Sequence, residues 1–307
     1  MRNAWILSIV IAATFTVAGM AADPKVNDQQ SFDTARAAVD SLLTACKDND
    51  APALVKMFGP RYQDLLKGID DAEEKEHRRM FWERSQQHLK LIEVGDDRVE
   101  VVVGRELWSF PIPLVKQANG WVFATDEGLE ELAARRIGEN ELNAIDVCLE
   151  FGSVQREYAA VDRDGDEVRE YAQRITSTPG KRDGLYWPVE ADSAEPMSPL
   201  GQLLADAEAA APGRKPGSPY QGYYFRMITR QGADAPGGAY DYVINDNMIA
   251  GFALVAWPAE YRTSGITTFI ISHQGKLLEK DLGPDTAKLV EAMTTYNPDK
   301  TWTPVKP

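Results

Sequence analysis

Histidine and cysteine are both scarce in this chain: 307 residues hold 3 of the first, His77, His88 and His273, and 2 of the second, Cys46 and Cys148. A zinc hydrolase needs two or three histidines converging on one ion, and a Ser-His-Asp hydrolase needs one beside an exposed nucleophile. Neither HExxH nor GxSxG occurs. His77 and His88 fall on a highly charged helical stretch and His273 in a hairpin turn, so all three are expected at the solvated surface. The cysteines lack a CxxC partner and a histidine nearby in sequence. Each sits in an apolar helical stripe, which favours buried free thiols, although an oxidising compartment permits a disulfide between them.

Positive charge is also short, with 33 Lys and Arg against 47 Asp and Glu and a formal net charge of −14. A broad nucleic-acid surface or adhesion to anionic lipid needs the opposite excess. The balance suits cation binding and plain solubility equally. Only one long apolar run exists. MRNAWILSIVIAATFTVAGMAA, residues 1–22, places Arg2 before an apolar run from Ala4 to Val17 and then small residues, the layout of a secretory signal peptide cleaved after Ala21. No cysteine follows to take a lipid anchor. The expected location is periplasmic or secreted, with no membrane span after cleavage.

What remains is globular in composition, 44% hydrophobic, and long enough for two domains, expected at 23–138 and 139–307. In the first, residues 33–47 and DNDAPALVKMFGP read as helices, with Asp33 as N-cap of the former, and a charged helix spans 71–88. Strand-like runs follow at 89–94, 98–103, 107–115 and 121–124, the last pair turning at Asn119-Gly120. Helical periodicity resumes at Glu127, is expected to break at Gly138 and restarts with Asn140 as cap. Leu142, Ile145, Cys148, Leu149, Gly152 and Tyr158 form its expected buried stripe. GYYFRMITR, YDYVINDNMIAGFALVAWP and ITTFIISHQGKLLEKDLG read as strands turning at Asp246-Asn247 and His273-Gln274-Gly275, before a short closing helix. The fold class is α+β. The N-terminal helices with a curved antiparallel sheet resemble the NTF2-like or cystatin-like cone, and the C-terminal long helix plus antiparallel sheet resembles a pilin-like domain.

A set of phrases carries a sharper resemblance: RRIGENELNAIDVCLEFGSVQREYA, DRDGDEVREYAQR, STPGKRDGLYWP, GYYFRMITRQG, PGGAYDYV, GFALVAWPAEYRTSG and GKLLEKDLGPDT. Together they resemble the bacterial family of exported proteins known as domain of unknown function 2950, from Phe32 to about Val305. That resemblance implies no reaction, cofactor or substrate.

Two segments carry candidate chemistry. In DRDGDEVRE, Asp162, Asp164, Asp166 and Glu170 offer oxygens at positions 1, 3, 5 and 9 of a loop, and Val168 offers its carbonyl at position 7, which suits calcium. Glu167 stands where the turn glycine belongs and Gln173 where the bidentate Glu of an EF-hand belongs. The competing reading is a solvated turn in which Asp caps backbone amides. The second segment, Ser177 to Pro188, carries Lys181, Arg182, Asp183, Tyr186 and Trp187, either a recognition surface for a protein or small-molecule partner in the envelope or a loop pinned by its two rings. Two function classes therefore stand. One is a non-catalytic ligand- or partner-binding module with a weak calcium loop. The other is a hydrolase or isomerase using a carboxylate in a pocket of the N-terminal domain.

Overall fold

The structure, a computed structural model, describes residues 29–59, 71–188, 197–200 and 218–306. The expected signal peptide lies outside the described residues. The chain divides into two compact units between Arg136 and Ile137. It is mixed α and β, with helices first and antiparallel sheets in both units.

The first unit opens on α1 (Ala35–Asp48) and α2 (Ala51–Phe58), followed by α3 (Asp71–Gln87). Thr34, not the expected Asp33, caps α1, its hydroxyl accepting the Ala37 N–H at 3.1 Å. Asp50 caps α2 in the same way, and Gly59 ends it at φ 82°. The sheet runs in the order β1 (Leu89–Glu93), β2 (Arg98–Val103), β4 (Leu114–Gln117) and β5 (Gly120–Phe123), with the short β3 (Trp108–Ser109) also on β2. The expected strand 107–115 is split there, because Pro111 and Pro113 remove two ladder donors from the middle of the run. Alternation in β2 turns Val99, Val101 and Val103 to one face, where they join Val39, Leu42 and Cys46 of α1, Leu54, Met57 and Phe58 of α2, and Leu114 and Phe123. The expected hairpin is present, but its turn is Ala118-Asn119, one residue before the expected pair, and Gly120 opens β5, where it is required. Its φ is 122°, and a methyl group on it would lie 2.5 Å from the Phe32 carbonyl oxygen.

A single helix of 34 residues, α4 (Thr125–Tyr158), runs through the expected break at Gly138. One glycine costs a helix only about 1 kcal/mol, and Ile137, Glu139 and Glu141 around it are compatible with helix. Asn140 is therefore no cap; its amide donates to the Ser264 carbonyl at 2.8 Å. The buried stripe also differs from the expected one. Ala144, Cys148, Phe151, Gln155 and Tyr158 face the core, whereas Leu142 and Leu149 are 62% and 53% exposed. Phe151 packs edge to face on Phe252 at 5.5 Å and Gln155 bonds the returning chain at Ala172, which fixes this face of the helix inward.

That sheet, in the second unit, has the order β14 (Thr303–Pro304), β13 (Leu278–Asp281), β12 (Thr267–Ser272), β11 (Ala253–Pro258), β6 (Tyr223–Ile228), all antiparallel. Alternation along β6 divides the two faces. Met227 meets Gln155 of α4 on one side, while the Arg226 guanidinium donates to the Val290 and Met293 carbonyls at 2.6 and 2.7 Å on the other. Those carbonyls belong to and follow the closing helix α5 (Thr286–Glu291). Two small ladders complete the unit: β7 (Arg230–Gln231) with β8 (Tyr240–Asp241), and β9 (Val243–Ile244) with β10 (Asn247–Met248). The β9–β10 turn is Asn245-Asp246, both at positive φ, one residue before the expected position.

Both cysteines are free and buried. Burial pushes the Cys46 thiol up to about 12 and the Cys148 thiol higher still. The histidines depart from expectation. His88 and His273 are half-buried, each with one ring nitrogen shut away from solvent, and both are tied by their backbone into the fold, Gly104 N–H on the His88 carbonyl and His273 N–H on the Phe252 carbonyl.

Candidate functional site

The acidic loop begins where α4 ends. Gln155, one turn before that end, is fully buried and clamps the returning chain: its Oε1 accepts the Ala172 N–H at 2.9 Å and its Nε2 donates to the Ala172 carbonyl at 3.0 Å. Residues 156–171 therefore form a closed excursion whose ends are fixed by one side chain. A polar residue in register with Phe151 on the buried stripe is the sequence signal for that clamp, since such a group must find partners.

Within the excursion Asp162 organises the turn. Its carboxylate accepts the Gly165 N–H at 2.8 Å and the Glu167 N–H at 3.0 Å, and these bonds, Gly165 first, hold its carboxyl below the usual range. Glu167 adopts φ 68°, the left-handed conformation that a calcium loop normally gives to glycine, and Gly165 adopts φ 83°. Asp162, Asp164 and Asp166 then each present a carboxylate oxygen, all within 4.8 Å of one another. Glu170 is not in this cluster. Its carboxylate accepts the Met248 N–H at 2.8 Å instead.

That contact is one of several that fasten the loop to the β9–β10 hairpin. Asn247 donates to Asp166 at 2.8 Å, the Tyr171 N–H reaches the Met248 carbonyl at 2.8 Å, and the Gln173 amide donates to the Asp246 carbonyl. Gln173, in the place of an EF-hand's last ligand, is thus a fastening residue.

The loop from Ser177 to Pro188 folds back as a narrow bend, with Ser177 N–H on the Tyr186 carbonyl and Tyr186 N–H on the Ile175 carbonyl, both at 2.8 Å. Asp183 lies inside it. Burial alone would raise its carboxyl, but the Thr178 N–H at 2.7 Å and hydroxyl at 2.8 Å hold it below the usual range. Trp187 is only 6% exposed and belongs to the core, and Tyr186 packs half-buried against it. Lys181 and Arg182 are exposed at the tip.

Arg163 joins the two loops. Its guanidinium lies 4.7 Å from the Tyr158 ring and 5.0 Å from the Trp187 indole, with Arg182 5.7 Å from that indole on its own account. Tyr158 in turn donates its hydroxyl to the Arg182 carbonyl at 2.8 Å. The acidic loop can therefore turn its carboxylates outward while its arginine is stacked inward. Tyr158 is buried as its place in the expected stripe implied, whereas Arg163 did not stand out in the sequence, since a basic residue between two aspartates reads as solvated.

In the first unit a groove of about 480 Å³ is lined by Phe110, Pro111 and Pro113 and rimmed by charge. Arg98 pairs with Glu127 at 2.6 Å and Arg135 with Glu131 at 2.7 Å. Among the described residues no Asp or Glu is fully buried.

Residues 29–305 match the family described as "Protein of unknown function (DUF2950)". No curated protein matches the chain, and no solved structure does.

Proposed function

The chain belongs to the DUF2950 family, and on that premise we propose that it is an exported, periplasmic or secreted, non-catalytic binding module in which calcium orders the loop after α4. One observation carries the reading: Asp162, Asp164 and Asp166 place three carboxylate oxygens within 4.8 Å of one another on a loop already bent as such loops bend. Three like charges this close repel one another, the N–H groups on Asp162 and on Asp166 offset part of that, and a hard divalent ion with oxygen ligands is a group that fits the remainder. With Val168 supplying a carbonyl and water completing the shell, the affinity belongs to the weak range of extracellular modules, about 10⁻⁴ to 10⁻³ M. The signal-peptide layout of residues 1–22 supports export to a compartment where such a site fills. Among the described residues no helix is long and apolar enough to cross a membrane.

The bound partner meets the edge formed by the acidic loop and the tip at Lys181 and Arg182, while Trp187, Tyr186 and Asp183 hold that tip in shape. The cone-like first unit and pilin-like second unit belong to the same reading, as rigid supports for loops. The competing hydrolase or isomerase asks for a carboxyl in a deep apolar pocket with its pKa raised. The groove in the first unit offers rim carboxylates, two of them paired to arginine, which favours the binding reading.

Titration calorimetry of the chain with calcium tests it. A saturating heat that disappears in Asp164→Ala is the expected result. No heat and no thermal shift at millimolar calcium would overturn the proposal.

A further inference from the structure

The β12–β13 hairpin carries His273 in a slot made of rings and bare backbone. Its imidazole packs edge to face on Tyr242, with centroids 5.4 Å apart at 85°, and on Phe252, at 6.2 Å and 75°. On its remaining side lies Gly251, where a methyl group would stand 2.5 Å from Nδ1. The absence of a side chain at Gly251 makes the slot. Nδ1 is buried there without a hydrogen-bond partner.

Tyr242 passes this packing on. It is fully buried, and its hydroxyl donates to Gln231 Oε1 at 2.9 Å. The Gln231 amide then donates to the carbonyls of Pro236 at 2.8 Å and Gly238 at 2.7 Å. Residues 232–238, the strap between β7 and β8, thus hang from Gln231, which hangs from Tyr242, which leans on His273. Gln274, beside the histidine, adds a longer bond of 3.3 Å to the same Pro236 carbonyl.

We propose that His273 is a pH-sensitive latch on the strap of residues 232–238: neutral, it props Tyr242 and keeps the strap seated; protonated, it leaves its slot and releases the strap. An imidazolium there would bring an N–H at Nδ1 with no acceptor and a charge against the Tyr242 and Phe252 rings. The packed elements carry the phenols Tyr242, Tyr240 and Tyr296, the Asp241 carboxylate, which pairs with Arg230 at 3.3 Å, and on β13 Glu279, Lys280 and Asp281. Burial raises Tyr242 and Tyr296 above the usual phenol value, so both stay neutral throughout. On the strap, the Asp234 carboxylate is occupied by the Asn297 amide at 2.8 Å, and Lys276 on the hairpin is exposed.

Desolvation lowers the imidazole's pKa from its ordinary value. The direction of the effect follows. Since the folded pKa lies below the unfolded one, the latch is fully closed above the unfolded value of about 6.5 and opens as pH falls through the folded value.

Hydrogen exchange and imidazole NMR on the same protein test this. The amides of Ala235, Gly238 and Tyr242, corrected for intrinsic exchange, should lose protection between neutral pH and about pH 5, the range in which an imidazole changes its charge. The midpoint of that loss should coincide with the His273 titration. His273→Phe, which keeps a ring and removes the proton, should hold its protection constant. Unchanged protection in the wild type, or an equal loss in His273→Phe, overturns the proposal. If that variant does not fold, a mismatch between the wild-type exchange midpoint and its imidazole midpoint overturns it equally.

Discussion

The carboxylate of Asp162 accepts the backbone N–H of Glu167 at 3.0 Å, and Glu167 holds its left-handed backbone directly at that bond. A side chain with a Cβ sits where the turn favours none. The loop keeps its shape because Asp162 ties its two ends, at some cost in backbone strain.

Glu167→Gly should relieve that strain. The expected gain is about 1 kcal/mol in urea unfolding, since the left-handed conformation costs a residue with a Cβ about 1 to 2 kcal/mol and glycine nearly nothing sterically. Calcium affinity should tighten in the same variant. A loss of stability would show that the Glu167 side chain makes a contact worth more than the strain.

Trp187→Ala should destabilise the fold by about 3 to 5 kcal/mol, the range for truncating a core ring. Trp187 is packed in the core with Arg163 on its face. Lys181→Ala, at the exposed tip, should stay within about 0.5 kcal/mol. Denaturant unfolding of the two variants separates an anchor from a recognition residue, and a small loss for Trp187→Ala would contradict the anchor.

Gln155→Leu keeps the volume and removes both bonds to Ala172. A buried N–H and a buried carbonyl are left unpaired, at an expected cost of about 2 to 4 kcal/mol. The check is the same unfolding experiment. A neutral result would mean that water replaces the amide.

Cys46 and Cys148 should both be silent toward a thiol reagent in the native protein and both react once it is unfolded without reductant. Burial denies the reagent access and disfavours the thiolate. A count of zero thiols in the unfolded chain would reveal a disulfide instead.

Much of this architecture was legible in the sequence because local chemistry decides it. Asn119 and Gly120 marked a hairpin to within one residue, alternation in RVEVVV set β2, and Gly59 ended α2, each through a rule that acts within a few residues. Where tertiary packing decided, the sequence pointed elsewhere. Leu142 and Leu149 have the right spacing for a core stripe, yet the packing of Phe151 on Phe252 and the bonds of Gln155 to Ala172 turn a neighbouring face of α4 inward, on which only Cys148 and Tyr158 of the expected stripe are fully buried. Gly138 looked like a break because glycine is a poor helix former, but one unfavourable residue does not stop a helix held by its neighbours. At the candidate site, the spacing of Asp162, Asp164 and Asp166 was visible. The partners of Glu170 and Gln173, and the stacking of Arg163, come from the β9–β10 hairpin and from Trp187, distant in sequence.

The central claim is that calcium is held by the three aspartates, and amide NMR during a calcium titration tests it most directly. Gly165 and Glu167, whose N–H groups rest on Asp162, should shift saturably with a midpoint of about 10⁻⁴ to 10⁻³ M, and the changes should stay within residues 162–170 and the hairpin that holds them. Amides that remain unmoved through about 10 mM calcium, well beyond that range, would contradict the account.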